Sequence, residues 1–98
     1  MKITENRSTQ GITLFVEGKI NDNTSSQLQN EIFRVAKING NIALDFTEVD
    51  SIDAAGTRVL HSGVRAAAAK RGRLQVLNAN AAVKNELQND GLGRLLVS

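Results

Sequence analysis

The 98-residue chain has no cysteine, proline, tryptophan or tyrosine, and only one histidine. Without cysteine there is no disulfide, thiol nucleophile or thiolate metal site, and His61 alone cannot build an imidazole cluster, so most redox and zinc chemistry is excluded. Without proline, turns fall to Gly, Asn and Asp. The aromatic complement is Phe15, Phe33 and Phe46. At least two of these are expected to serve the core as strand residues, which leaves no stacking platform for single-stranded nucleic acid. No apolar run approaches the roughly 20 residues that cross a bilayer, and Met1-Lys2-Ile3-Thr4-Glu5 is not the start of a signal peptide, so a cytoplasmic protein without direct membrane insertion is expected.

What is present is the composition of a folded domain. Hydrophobic residues make up 41% and charged residues 22%, and the length supports one core, so residues 1–98 are read as a single domain. The net charge of +2 implies no partner, but its distribution is uneven. Asp45, Glu48, Asp50 and Asp53 form a segment without a base, and Arg58, Arg65, Lys70, Arg71 and Arg73 follow without an acid. Such polarity can orient a partner. The simpler expectation is two solvated faces that neutralise each other in the fold.

Ile12, Leu14 and Val16 alternate with Thr13, Phe15 and Glu17, the period of a half-buried strand, with residues Met1 to Ser8 as its hairpin partner. After the turn signal Asn21-Asp22-Asn23, Thr24 and Gln27 have capping-box spacing and predict a helix from Thr24. Its stripe is Leu28, Ile32, Val35 and Ala36, with Asn39-Gly40 supplying a left-handed terminus. Asn41 to Phe46 is predicted as a covered central strand and Thr47 to Ile52 as a loop. Val59, Leu60, Val64, Ala67 and Ala68 mark a second helix up to Gly72. Leu74, Val76 and Leu77 mark a strand, and Asn80, Val83 and Leu87 a third helix ending before Gly91. Leu92, Leu95 and Leu96 close the chain. The fold class is α/β: a mixed, mostly parallel sheet packed by about three helices.

The segment Asp45-Phe46-Thr47-Glu48-Val49-Asp50-Ser51-Ile52-Asp53-Ala54-Ala55-Gly56-Thr57-Arg58-Val59-Leu60 resembles the hallmark of STAS domains: a strand ending in aspartate, then Asp-Ser-Ser-Gly or Asp-Ser-Ala-Gly opening a helix. Gly18-Lys19-Ile20-Asn21 before Thr24 and Leu28 resembles the family's Gly-x-Leu-Asp turn and first helix. Asn80-Ala81-Ala82-Val83-Lys84 with Gly91-Leu92 resembles its closing helix. The likeness thus covers nearly the whole chain, with spacing kept through three helices.

The resemblance implies a bacterial partner-switching regulator of the anti-sigma factor antagonist type, without a cofactor. Its partner would be an anti-sigma factor that is a serine kinase of the histidine-kinase-like ATPase type. In that family, phosphorylation of the serine before the glycine breaks the complex, and a PP2C-type phosphatase restores it. Here that position is Ala55, preceded by Ala54, so neither carries a hydroxyl. Three explanations stay open: an engineered serine-to-alanine variant, a natural member that always binds, or a branch with another task. Small STAS proteins that accompany phospholipid-transport ATPases also resemble this chain and can have alanine there. Ser51, Thr57 and Ser62 are alternative acceptors, Thr57 the foremost. The implied partner surface is Asn21, Asp22, Asn23 and Thr24 together with Asp53, Ala54, Ala55, Gly56, Thr57, Arg58 and His61, with Asp53 as helix cap. Asn21 departs from the family's aspartate, and Asp22 can substitute for it.

An enzyme would need convergent groups, and the serines have no nucleophile-elbow spacing. The acids of 45–53 do not fit an EF-hand, and there is no phosphate-binding Gly-rich loop. Nucleic-acid binding would rest on Arg58, Arg65, Lys70, Arg71 and Arg73, for which a solvated charged face is the simpler account.

Overall fold

The computed structural model describes residues 1–97. In chain order the elements are β1 (Lys2–Ser8), β2 (Gly11–Ile20), α1 (Ser25–Ala36), β3 (Ile42–Ile52), α2 (Ala54–Ala69), β4 (Leu74–Leu77), α3 (Ala81–Asn89), a short 3-10 turn (Gly93–Leu95) and β5 (Leu96–Val97). The five strands lie side by side in the order β1-β2-β3-β4-β5. The β1–β2 hairpin is antiparallel and every later pair is parallel. Each parallel crossover carries a helix and steps one strand in the same direction, which stacks the helices on one face of the sheet.

That face is read off the register. Ile12, Ile42 and Leu74 stand opposite one another, as do Leu14, Leu44 and Val76. All six are buried with Leu28, Ile32, Val35, Val59, Leu60, Val83 and Leu87 from the helices. The other face carries Thr13, Phe15, Ala43, Asp45, Gln75 and Leu77, all exposed or half-buried. Phe15 is 39% exposed and Phe33 on α1 is 38% exposed, so only Phe46 of the three aromatics enters the core. The expectation that at least two would do so fails because Phe15 has the outward parity of its strand.

The structure corrects three further expectations and adds one element. Residues 47–52 are strand, not loop, and pair with β2 through Glu17↔Glu48, Gly18↔Val49, Lys19↔Ser51 and Ile20↔Ile52 after a shift in register. The irregularity breaks the alternation, leaving Phe46, Val49 and Ile52 buried at intervals of three, so the period of two that betrays a strand is lost. Thr24 does precede α1, but no capping box forms: Thr24 makes no side-chain cap, and the Gln27 side chain donates instead to the Met1 carbonyl at 3.2 Å. Neither Asn39 nor Gly40 is left-handed. Gly40 is there for close approach, since a Cβ would lie 2.7 Å from Lys70 Cβ and 2.9 Å from the Ala67 carbonyl oxygen. Finally, the leucine-rich end forms a fifth strand, with Val76↔Leu96 and Leu77↔Val97; two residues are too short for periodicity to reveal.

Asn80 fixes the start of α3 as expected. Its Oδ1 accepts from the Val83 amide at 2.8 Å, and its Nδ2 donates to the carbonyls of Val49 at 3.2 Å and Asp50 at 3.1 Å. One side chain therefore caps a helix and ties it to the end of β3. Asn80→Ala is expected to cost about 1–2 kcal/mol in urea denaturation. Asn80→Asp, which keeps the cap and loses both donors, should recover only part of it.

Candidate functional site: the ends of the parallel strands

Because β2, β3 and β4 are parallel and each is followed by a helix, the N-termini of α1, α2 and α3 gather at one edge of the sheet, where open α/β sheets place their functional loops. The first two loops are joined at their roots. Ile20 and Ile52 are register partners, and the Asp53 amide donates to the Ile20 carbonyl at 3.1 Å. The turn 21–24 and the start of α2, separated by some 30 residues of sequence, thus form one surface.

The turn is held from within. Thr24 Oγ1 accepts from the Asn21 amide at 2.9 Å and donates to the Lys19 carbonyl at 2.7 Å, and the Asn23 amide donates to Asn21 Oδ1 at 2.9 Å. Asn21 and Thr24 are therefore half-buried turn-builders, while Asp22 and Asn23 project as exposed side chains. Asp53 caps α2 as anticipated, its Oδ1 accepting from the Gly56 amide at 3.1 Å. At Gly56 a Cβ would sit 2.5 Å from Ile52 Cγ1 and 2.7 Å from Ile20 Cγ2, so the bare backbone seats the first turn of α2 directly on both strand ends.

This seating decides what a partner can touch. Ala54 and Arg58 are exposed, whereas Gly56 and Thr57 are buried and Ala55 is only 9% exposed. Thr57 is 4% exposed and its hydroxyl donates to the Ala54 carbonyl at 3.0 Å, which makes it an interior residue of the helix start and removes its standing as the foremost alternative phosphoacceptor. Ser51 is exposed and Ser62 half-buried. His61 Nε2 lies 3.1 Å from the Asp90 carbonyl oxygen; a carbonyl only accepts, so Nε2 carries the proton and ties α2 to the end of α3. His61, expected on the partner surface, thus engages the fold itself.

The acids of 45–53 and the bases of 58–73 are for the most part solvent-exposed, as the simpler expectation had it, and are not joined by close ion pairs among the described residues. The ion pairs among the described residues are Lys2–Glu17, Glu5–Arg7, Glu5–Arg34 and Glu31–Arg34. None involves the acids of 45–53 or the bases of 58–73. Asp45, whose strand runs on past it, is held by the Thr47 hydroxyl and amide and the Asn78 side chain. Burial is the largest influence and pushes its carboxyl up, but these hydrogen bonds together outweigh it and leave the pKa below the usual carboxylate value. A lowered pKa contributes stability at neutral pH that is lost as the pH falls through the folded-state value. Asp45→Asn should therefore lose stability less steeply than the parent below about pH 4. Acid titrations followed by circular dichroism would show it; identical acid limbs would refute the assignment.

The comparisons with known proteins agree with this architecture. No curated protein matches the chain in sequence. Among solved structures, the anti-sigma factor antagonist SpoIIAA in its unphosphorylated form is similar at a TM-score of 0.86 and 19% identity, covering 98% of this chain and 86% of its own. An anti-sigma factor antagonist from Mycobacterium paratuberculosis gives 0.84 and 17%, covering 97% and 81%. The Bacillus cell fate determinant SpoIIAA in its phosphorylated form gives 0.77 and 18%, covering 98% and 89%. At these identities the likeness is one of fold. The family model for the Mlab STAS domain matches residues 3–98, and with that match across this sheet and its three helix starts, the chain belongs to the STAS domain family.

Proposed function

We propose that the chain is a protein-binding regulator of the anti-sigma factor antagonist type that docks on an ATP-binding kinase partner through the turn 21–24 and the start of α2. The observation that carries the reading is Ala55: a methyl group at 9% exposure, in the first turn of a helix capped by Asp53, beside exposed Ala54 and Arg58. This is the place where the resembling antagonists carry their phosphoserine. With no hydroxyl there, the surface stays in its unmodified, binding-competent form, and a phosphatase has nothing to remove at that position. The side chains offered to the partner are Asp22, Asn23, Ala54 and Arg58. Asn21, Thr24, Asp53, Gly56, Thr57 and His61 hold them in place.

A second reading, an accessory subunit of a phospholipid-transport ATPase, is favoured by the family match itself, which is to the Mlab type of STAS domain, and by the alanine that such small STAS proteins can have before the glycine. Both readings use the same edge of the fold. Affinity capture from the source cells with this chain as bait separates them: a serine kinase acting as anti-sigma factor supports the first, a transport ATPase the second. Recovery of no ATP-binding protein would overturn both.

A further inference from the structure

α1 and α2 follow parallel strands and so run parallel to each other, with their C-terminal halves at the opposite end of the molecule from the candidate site. From Ala55 to Ala69 the helix rises about 21 Å. Between those halves lies an open groove of about 270 Å³ lined by Phe33, Ala36, Lys37, Ala66, Ala69 and Lys70. Its floor is recessed, because alanines stand where longer side chains would fill it. Phe33 forms one wall at 38% exposure, and Ile38, just past α1, is 52% exposed.

The rim is of one sign. Lys37 and Lys70 border the groove, with exposed Arg65 and Arg71 nearby in sequence. No acid occurs between Asp53 and Glu86, and none of these four bases is in an ion pair among the described residues. We infer that this groove binds an acidic amphipathic helix of a partner protein, inserting apolar side chains over Ala66 and Ala69 against Phe33 while its carboxylates meet Lys37 and Lys70. The shape argues for a helix: apolar residues spaced three and four apart make a ridge that fits a groove between two helices. A bilayer surface instead calls for a broad band of protruding apolar side chains, whereas here Phe33 and Ile38 protrude from the α1 side alone and the facing side is alanine. A nucleic acid would leave the apolar floor unused. Basic rim and acidic ridge supply complementarity that fixes orientation and speeds encounter. The groove lies at the far end from the turn 21–24, so both surfaces can be occupied at once and the chain can bridge two proteins.

The test places the photocrosslinker p-benzoylphenylalanine at Phe33 of the full chain in the source cells and sequences the adducts. The inference expects adducts to a protein segment rich in Asp and Glu with apolar residues at helical spacing. It also expects their yield to fall at least tenfold in the K37E/K70E background, while adducts from a crosslinker at Ala54 persist. Lys37 and Lys70 are exposed, so unchanged thermal melting is expected to separate lost binding from lost fold. Adducts to lipid, nucleic acid or another copy of this chain would overturn the inference. So would adducts that survive charge reversal, or none at all. Loss of adducts at Ala54 alone would count against the docking site proposed above and leave this groove untouched.

Discussion

Ala55→Glu is expected to weaken binding of the ATPase partner by at least about 100-fold while leaving the fold intact. The position is the second residue of α2, where the positive end of the helix dipole favours an anion, so the carboxylate does not disturb the helix. For the complex the same charge is placed within the docking surface, between exposed Ala54 and Arg58 and next to the Asp53 carboxylate. Desolvation and like-charge repulsion in an interface cost several kcal/mol, and each 1.4 kcal/mol is about tenfold in affinity. Ala55→Ser adds one small hydroxyl and should bind within a fewfold of the parent. If the partner is a serine kinase, the serine variant should in addition accept phosphate and then behave like the glutamate. Isothermal titration of the three proteins against the captured partner decides it; equal affinities for parent and glutamate variants would move the interface elsewhere.

Gly72→Ala is expected to be the most destabilising single methyl addition in the chain. A Cβ there would stand 2.1 Å from both the carbonyl carbon and the oxygen of Gly40 and 2.7 Å from the Asn41 amide nitrogen. All three are backbone atoms, so no rotamer change relieves the contact. The Ile42 amide donates to the Arg73 carbonyl at 3.0 Å in the same place, so separating the two segments also strains the start of the β3–β4 ladder. Overpacking of this kind costs about 3 kcal/mol or more, which lowers the melting temperature of a domain this size by about 12–24 °C. Gly91→Ala is the control. Gly91 has φ +76° with no neighbour within 4 Å of a Cβ, so it should lose only the roughly 1 kcal/mol of the left-handed backbone. Equal melting temperatures for the two variants would show that the Gly40–Gly72 contact yields.

The two glycine positions also show why some of this fold was legible in the sequence and some was not. Signals local to one element survived. The alternation of Ile12, Leu14 and Val16 placed β2, Asn80 placed α3, and Asp53 placed the cap of α2, because each depends on neighbours within four residues. Features made by distant partners left no local trace. Gly40 reads as a helix terminus and is in fact a point of backbone contact with residues some 30 positions away. Residues 47–52 read as a loop because a register shift erased their alternation, although they form the half of β3 that joins the turn 21–24 to α2.

The candidate site divides in the same way. The motif around Ala55 falls where α2 starts, and the parallel topology brings Asn21 to Thr24 beside it. Which of those residues face outward depended on Gly56 and its two isoleucine neighbours. Their seating of α2 buries Thr57 and leaves Ala54 and Arg58 exposed. The run of bases after Asp53 was visible in the sequence, but only the structure shows that none of them is ion-paired among the described residues.

The most direct test of the docking surface is an NMR titration of the isotope-labelled chain with its captured ATPase partner, following every backbone amide. The largest shifts or losses of signal are expected at Asp22, Asn23, Ala54, Ala55 and Arg58, with the outer sheet face around Phe15 and Asp45 unchanged. Perturbations centred on that outer face, with residues 22–24 and 54–58 silent, would contradict it.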